Sequence, residues 1–237
     1  MKLEYQNGVR VSLLVHEQSP FERMLDRYTA MANKHYAKTK NTNLNKEERA
    51  AELKSSLEFL AHERRHLNTI AGIQAELDAY RQAGNKVKQG TKRERSASLT
   101  YLEAENHHPT EVLEKYMRAE GVPKPSSKHT AHHIVPGQGK LPVITNRTRV
   151  HLHMHGIRIN DPANGVYLVH KDEDTPHWSM PKSTGHLTYH THDYERWLSQ
   201  KIGALNHVDV IKTQLQIIGR LLQRNEPKNV IPKILNR

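Results

Sequence analysis

The chain has 237 residues, with 36 Lys and Arg against 25 Asp and Glu, a formal net charge of +11 and no cysteine. That length suits two modest domains, and the charge makes a polyanion such as nucleic acid the first partner to consider. Without cysteine, disulfides, thiolate metal sites and thiol nucleophiles are excluded, and no apolar run approaches the roughly 20 residues that cross a bilayer, so no membrane partner is expected.

Short extended runs at residues 2–5 and 9–15 flank Gln6-Asn7-Gly8, and Asn-Gly between such runs signals a tight hairpin. Ser19-Pro20 suits a helix cap and first turn, after which Phe21, Met24, Leu25, Tyr28, Met31 and Ala32 recur at helical steps. Residues 41–45 break that pattern. A longer helix follows over residues 47–81, with Leu53, Leu57, Leu60, Leu67, Ile70, Ile73, Leu77 and Tyr80 on its apolar stripe. Spanning about 50 Å, it is expected to fold back along the first helix or to meet a partner.

Residues 84–96 set Lys86, Lys88, Lys92, Arg93 and Arg95 against Glu94, with two glycines and no apolar period. They read as a mobile basic linker, either solvated or touching phosphates. Helices are then expected at residues 99–105 and 110–120, ended by Gly121 and followed by Pro123 and Pro125. The predicted fold class is α+β and mostly helical. Residues 1–96 would form a hairpin, helical hairpin and linker suited to delivery, loading or partner binding, and residues 97–237 a chemical domain with a C-terminal helical tail.

Eleven of the 18 histidines fall between His129 and His192, which points to a metal or proton-transfer site there, its ligands drawn from His, Asp, Glu or Asn. Pairs and four-residue spacings arise by chance at this histidine content, so His107-His108 reads as a loop or helix-start pair and His62/His66 as a solvated helical face. His132-His133 differs in lying within His129-Thr-Ala-His132-His133-Ile-Val-Pro136, a short β-type run ended by Pro-Gly. Neighbouring side chains on a strand point to opposite sides, which suggests that one ring holds a metal while the other handles a proton.

Ala131-His132-His133-Ile134-Val135 resembles the motif that names the AHH nucleases, a family of the HNH/endonuclease VII (His-Me finger) superfamily, and it follows a helix exit, residues 119–125, of the kind seen in such proteins. Residues 156–168, which include Asn164-Gly165, are similar to the family's second block, and residues 185–194 to its third. The three ordered blocks cover about residues 112–203. The resemblance implies a ββα-metal fold: a strand over residues 132–135, a turn at Asn164-Gly165, a strand over 166–169 and a helix over 189–202, with a short insertion helix at 146–155. It further implies His132, His186 and His190 as ligands of one divalent ion (Mg, Mn, Ni or Zn), His133 as the general base, and Asn164 as the residue that ties down the hairpin and orients that base. A continuous helix would bring His186 and His190 to one face; a helix starting near residue 189 would bring His186 in from the preceding turn, with His192 and Asp193 as substitutes. His151, His153 and His155 read as surface or DNA-facing groups, and Arg147, Arg149 and Arg158 as candidates to steady the scissile phosphate.

The activity so implied is endonucleolytic hydrolysis of phosphodiester bonds, in DNA rather than RNA, leaving 5'-phosphate and 3'-hydroxyl ends. The family's usual setting implies an antibacterial or other polymorphic toxin, delivered by a secretion system such as type VI and met by an immunity protein. No Sec-type signal is evident, so the expected protein is made in the cytoplasm and acts in the cytoplasm of a target cell. A phage or mobile-element endonuclease shares the chemistry. The competing classes are a non-catalytic nucleic-acid-binding protein with a structural ion, and a histidine-rich metal buffer.

Overall fold

The computed structural model describes residues 5–6, 9–10, 18–39, 45–106 and 110–227; the expected Asn7-Gly8 turn and the His107-His108 pair lie outside them. Two compact units result, Met1–Ala75 with Ala119–Gly121, and Glu76–Arg118 with Val122–Arg237.

In the first unit, β1 (Tyr5–Gln6) pairs antiparallel with β2 (Val9–Arg10) as the Asn-Gly signal predicts. Helix α1 (Pro20–Thr39) starts at a reciprocal cap, in which the Glu22 amide donates to Ser19 Oγ and the Ser19 amide to the Glu22 carboxylate. Helix α2 (Lys46–Gln89) runs 44 residues, about 66 Å, and its part up to Ala75 belongs here. Its stripe is only partly used: Leu60 and Leu67 are buried, but Leu57 is 54% exposed. His62 and His66 face solvent, as their spacing suggested.

The expected linker at residues 84–96 is helical instead. Helix α2 continues through Gln89, and α3 (Lys92–Glu103) begins at once, because Thr91 and Glu94 form a capping box. At Gly84 α2 lies tightly on the backbone at Gly156, where a Cβ would meet the Gly156 carbonyl oxygen at 2.9 Å.

The second unit is built on a hairpin separated widely in sequence. Strand β3 (His129–His133) pairs antiparallel with β4 (Gly165–Val169), with His132 opposite Val166 and His133 opposite Gly165. Helix α4 (Glu111–Ala119) supplies Leu113 and Met117 to one face, where they meet Ala131, Tyr167 and Met180. Against the other face lie α6 (His192–Ile202) and α7 (Val208–Gln223), whose Trp197, Leu198, Ile211 and Leu215 share a core with Ile134 and Leu168. The ββα unit of β3, β4 and α6 is therefore present, with α5 (Pro142–Met154) inserted between the strands. Among the described residues, no helix is long and apolar enough to cross a membrane.

Candidate active site

Strand alternation sends His132 and His133 to opposite faces of β3, but both end up lining one pocket of about 190 Å3, because they sit where the strand runs out. His132 is 6% exposed, and its Nε2 is buried with no hydrogen-bond partner. Burial holds its pKa well below the ordinary histidine range, and His190, His186 and His133 reinforce this. Its ring stands 5.4 Å from that of His190 and 6.2 Å from that of His186, while His186 and His190 are 5.9 Å apart, centre to centre.

His186 and His190 do not share a helix. His186 opens a 3-10 turn (His186–Tyr189) that His190 terminates, and α6 starts only after Thr191, whose hydroxyl accepts from the Tyr194 amide. Of the two arrangements open in sequence, His186 thus follows the second and approaches from the preceding turn. His186 Nδ1 donates to the His170 carbonyl at 2.8 Å, which leaves the lone pair on Nε2, the arrangement typical of a metal-ligating imidazole. His192 and Asp193 lie exposed on the first turn of α6, with Asp193 paired to Arg196.

His133 is held differently. Asn160 donates from Nδ2 to the Asn106 carbonyl, which turns its Oδ1 towards His133 Nε2 at 2.8 Å. Nε2 is therefore the protonated nitrogen, and Nδ1 carries the lone pair. Asn164, fully buried, accepts from the Val135 amide at 2.8 Å and donates to the carbonyls of Val135 and Ile159 at 3.1 and 3.0 Å. It clamps the end of β3 to the loop before β4.

Residues 113–222 match the family model described as AHH, a nuclease family of the HNH/ENDO VII superfamily with conserved AHH. This part of the chain is an AHH-family domain. No curated protein and no solved structure matches the chain. The match takes in α7 beyond the three motif blocks, in keeping with the burial of α7 in the same core.

Among the described residues, no group of three or more His, Asp or Glu side chains is placed closely enough to hold a metal ion. The donor set nevertheless fits a divalent ion, because a buried imidazole nitrogen without a partner costs free energy that a ligand would relieve, and two further imidazoles face it.

The phosphate candidates sort by burial. Arg149 is buried and donates to the carbonyls of Gly137, Leu102 and Glu105. Arg158 is buried too, bonded to Glu105 and to the Tyr80 carbonyl and stacked 3.8 Å over the Tyr80 ring. Arg147 alone of the three is exposed, in a surface groove along α5. His153 corrects the surface reading: it is 0% exposed, with both ring nitrogens unpartnered and its pKa pushed down to about 3 by burial and then by Arg149 and Arg158. His151 and His155 are half-buried and bonded to backbone carbonyls.

Sequence reasoning missed the support behind His133. Tyr80, at the end of the α2 stripe, accepts from the Asn160 amide at 2.9 Å and donates to Glu105 at 2.6 Å, while Arg81 grips Asp161 at 2.8 Å. Long helices look like packing elements in sequence, and nothing local marks these two residues as neighbours of the AHH motif. A second histidine cluster was missed as well. His129 and His177 pack edge to face at 4.5 Å, tied together by Ser126 and Ser179.

Proposed function

We propose that the AHH domain is a metal-dependent endonuclease that hydrolyses phosphodiester bonds, DNA being the intended substrate, with His133 as general base. The observation that carries this reading is the contrast between two adjacent rings: His132 keeps a buried, unpartnered Nε2 in a ring that stands 5.4 and 6.2 Å from those of His190 and His186, while His133 has its proton placed by Asn160. His132, His186 and His190 would hold one divalent ion. When bound, such an ion supplies Lewis-acid stabilisation of the charge that builds on the phosphoryl group and on the departing oxygen. His133 takes the proton of the attacking water at Nδ1, and Asn160 keeps the ring in the tautomer this requires. Asn164 fixes the loop on which Asn160 sits, and the charge of +11 draws the polyanion in.

The test is cleavage of supercoiled plasmid and of single-stranded RNA by EDTA-stripped full-length protein, with Mg, Mn, Ni or Zn returned singly. Cutting that appears only with metal supports the reading; binding without cutting under every ion would make this a non-catalytic nucleic-acid-binding protein. We extend the proposal to biology: a toxin or secreted effector acting in a target cell's cytoplasm, with an immunity protein that covers the site. Its support is analogy and the separate helical unit joined to the nuclease. Growth arrest on expression of the wild type, and none with His133→Ala, is the outcome it requires.

A further inference from the structure

The AHH pocket has a wall that the motif does not supply. Pro136, Gln138, Gly139 and Lys140 form it, and among the described residues that line the pocket Lys140 alone carries a permanent positive charge. Lys140 is exposed, and no described carboxylate pairs with its ammonium. Its backbone, by contrast, is fixed. The amides of Lys140 and Leu141 donate to the two carboxylate oxygens of Glu195 at 2.7 Å each, and Thr145 Oγ1 donates to Oε2 at 2.8 Å.

Glu195 is itself buried on α6, one turn beyond the residue that ends the metal-facing segment. Helix α5 has no side-chain cap of its own, and this carboxylate binds the amides of Lys140 and Leu141, just before its first turn. Gly139 makes the approach possible, since a Cβ there would lie 2.6 Å from Glu195 Oε2. The result is a flexible cation on a rigid root at the rim of the pocket. Arg149 and Arg158 cannot serve there, as their guanidinium groups are bonded internally.

We propose that Lys140 is the cation that binds a non-bridging oxygen of the phosphodiester in the site, and that Glu195 is a positioning residue that roots it. This rests on the nuclease reading above and names the chain's own contact to substrate. A lysine suits the task as a compact point charge with rotatable donors, reaching a phosphate whose position shifts during reaction.

The experiment uses full-length protein on a labelled 30-base-pair DNA duplex and a matching RNA, with wild type, Lys140→Arg, Lys140→Gln, Glu195→Gln and the double variant. Lys140→Gln should lower kcat/KM about 10- to 100-fold at unchanged melting temperature, with Lys140→Arg recovering most of it. Measured in EDTA, the slope of log Kd against log salt should fall by about 1 for Lys140→Gln. Glu195→Gln should lower kcat/KM in the wild-type background but add little to Lys140→Gln, whereas a merely structural Glu195 would multiply the two losses. Lys140→Gln that cuts and binds as the wild type does, while His133→Ala is inactive, would overturn the proposal and leave the nuclease reading standing. Wild type that cuts neither substrate would overturn both.

Discussion

At one end of β3, His129 packs against His177 with all four ring nitrogens within hydrogen-bond reach of a serine hydroxyl; at the other, His132 keeps a buried Nε2 with no partner between His186 and His190. The first pair is the closer, at 4.5 Å against 5.4 and 6.2 Å, so proximity of imidazoles does not mark a ligand site. An unpartnered buried nitrogen with other imidazoles close by does, which separates His132 from His153, whose charged neighbours are Arg149 and Arg158. The Ser179 amide donates to His177 Nδ1, which places that ring's proton on Nε2, towards Ser126; Ser126 then donates to His129 Nδ1, His129 Nε2 donates to Ser179, and Ser179 closes the circuit at His177 Nδ1. The Ser179 amide and hydroxyl share the Nδ1 lone pair of His177 and Ser126 occupies that of His129, so neither ring keeps a lone pair for an ion. The His132 cluster is incomplete by one buried nitrogen.

The two clusters should therefore separate under substitution. The largest effect belongs to His132→Ala: loss of calorimetric ion binding and a fall in cleavage rate of about 1,000-fold or more, with the melting temperature of the metal-free protein held or raised because a buried polar orphan is gone. Next is Asn160→Ala, which should slow single-turnover cleavage about 10- to 100-fold while the ion still binds, since it frees the ring of His133 and leaves the ligands alone. Ser179→Ala should do the reverse. It opens the closed circuit, costs about 1–3 kcal/mol in chemical denaturation, and leaves the turnover of folded molecules unchanged.

The smallest effect is one of pH. Burial lowers the pKa of His129, with His177 and Lys124 adding to it and Asp174 opposing it, and His153 lies lower still at about 3. For a histidine depressed in the folded state, the stabilisation is fully present above the unfolded value of about 6.5 and is lost as pH falls through that value towards the folded one. The metal-free protein should thus lose melting temperature steadily from pH 7 to pH 4. A flat profile in the wild type would remove the argument that these rings are structural.

How much of this was readable in the chain depends on how local each feature is. The strand that carries His132-His133, the cap at Ser19-Pro20 and the β1–β2 pairing are local and are present, although the strand spans His129–His133 rather than residues 132–135. The division of labour proposed for His132 and His133 rests on strand alternation together with the family resemblance. The linker error was also local: a run of five basic residues outweighed the Thr91-x-x-Glu94 capping box that makes the segment helical. What could not be read is contact over distance. Arg81 meets Asp161 across 80 residues, Glu195 meets Lys140 across 55, and His129 meets Ser179 across 50, and no periodicity records such pairings. Burial decided Arg149, Arg158 and His153 for the same reason, since polar residue types gave no sign that the fold would enclose them.

The central claim is that one ring of the AHH pair serves an ion while its neighbour serves a proton. It is tested most directly by comparing wild type and His133→Ala in ion-binding calorimetry and in single-turnover cleavage on the same preparation. The account predicts one ion per chain and equal affinity in both proteins, with cleavage by the variant slower by about 100- to 10,000-fold. A variant that cuts DNA as fast as the wild type, or one that no longer binds the ion, would contradict it.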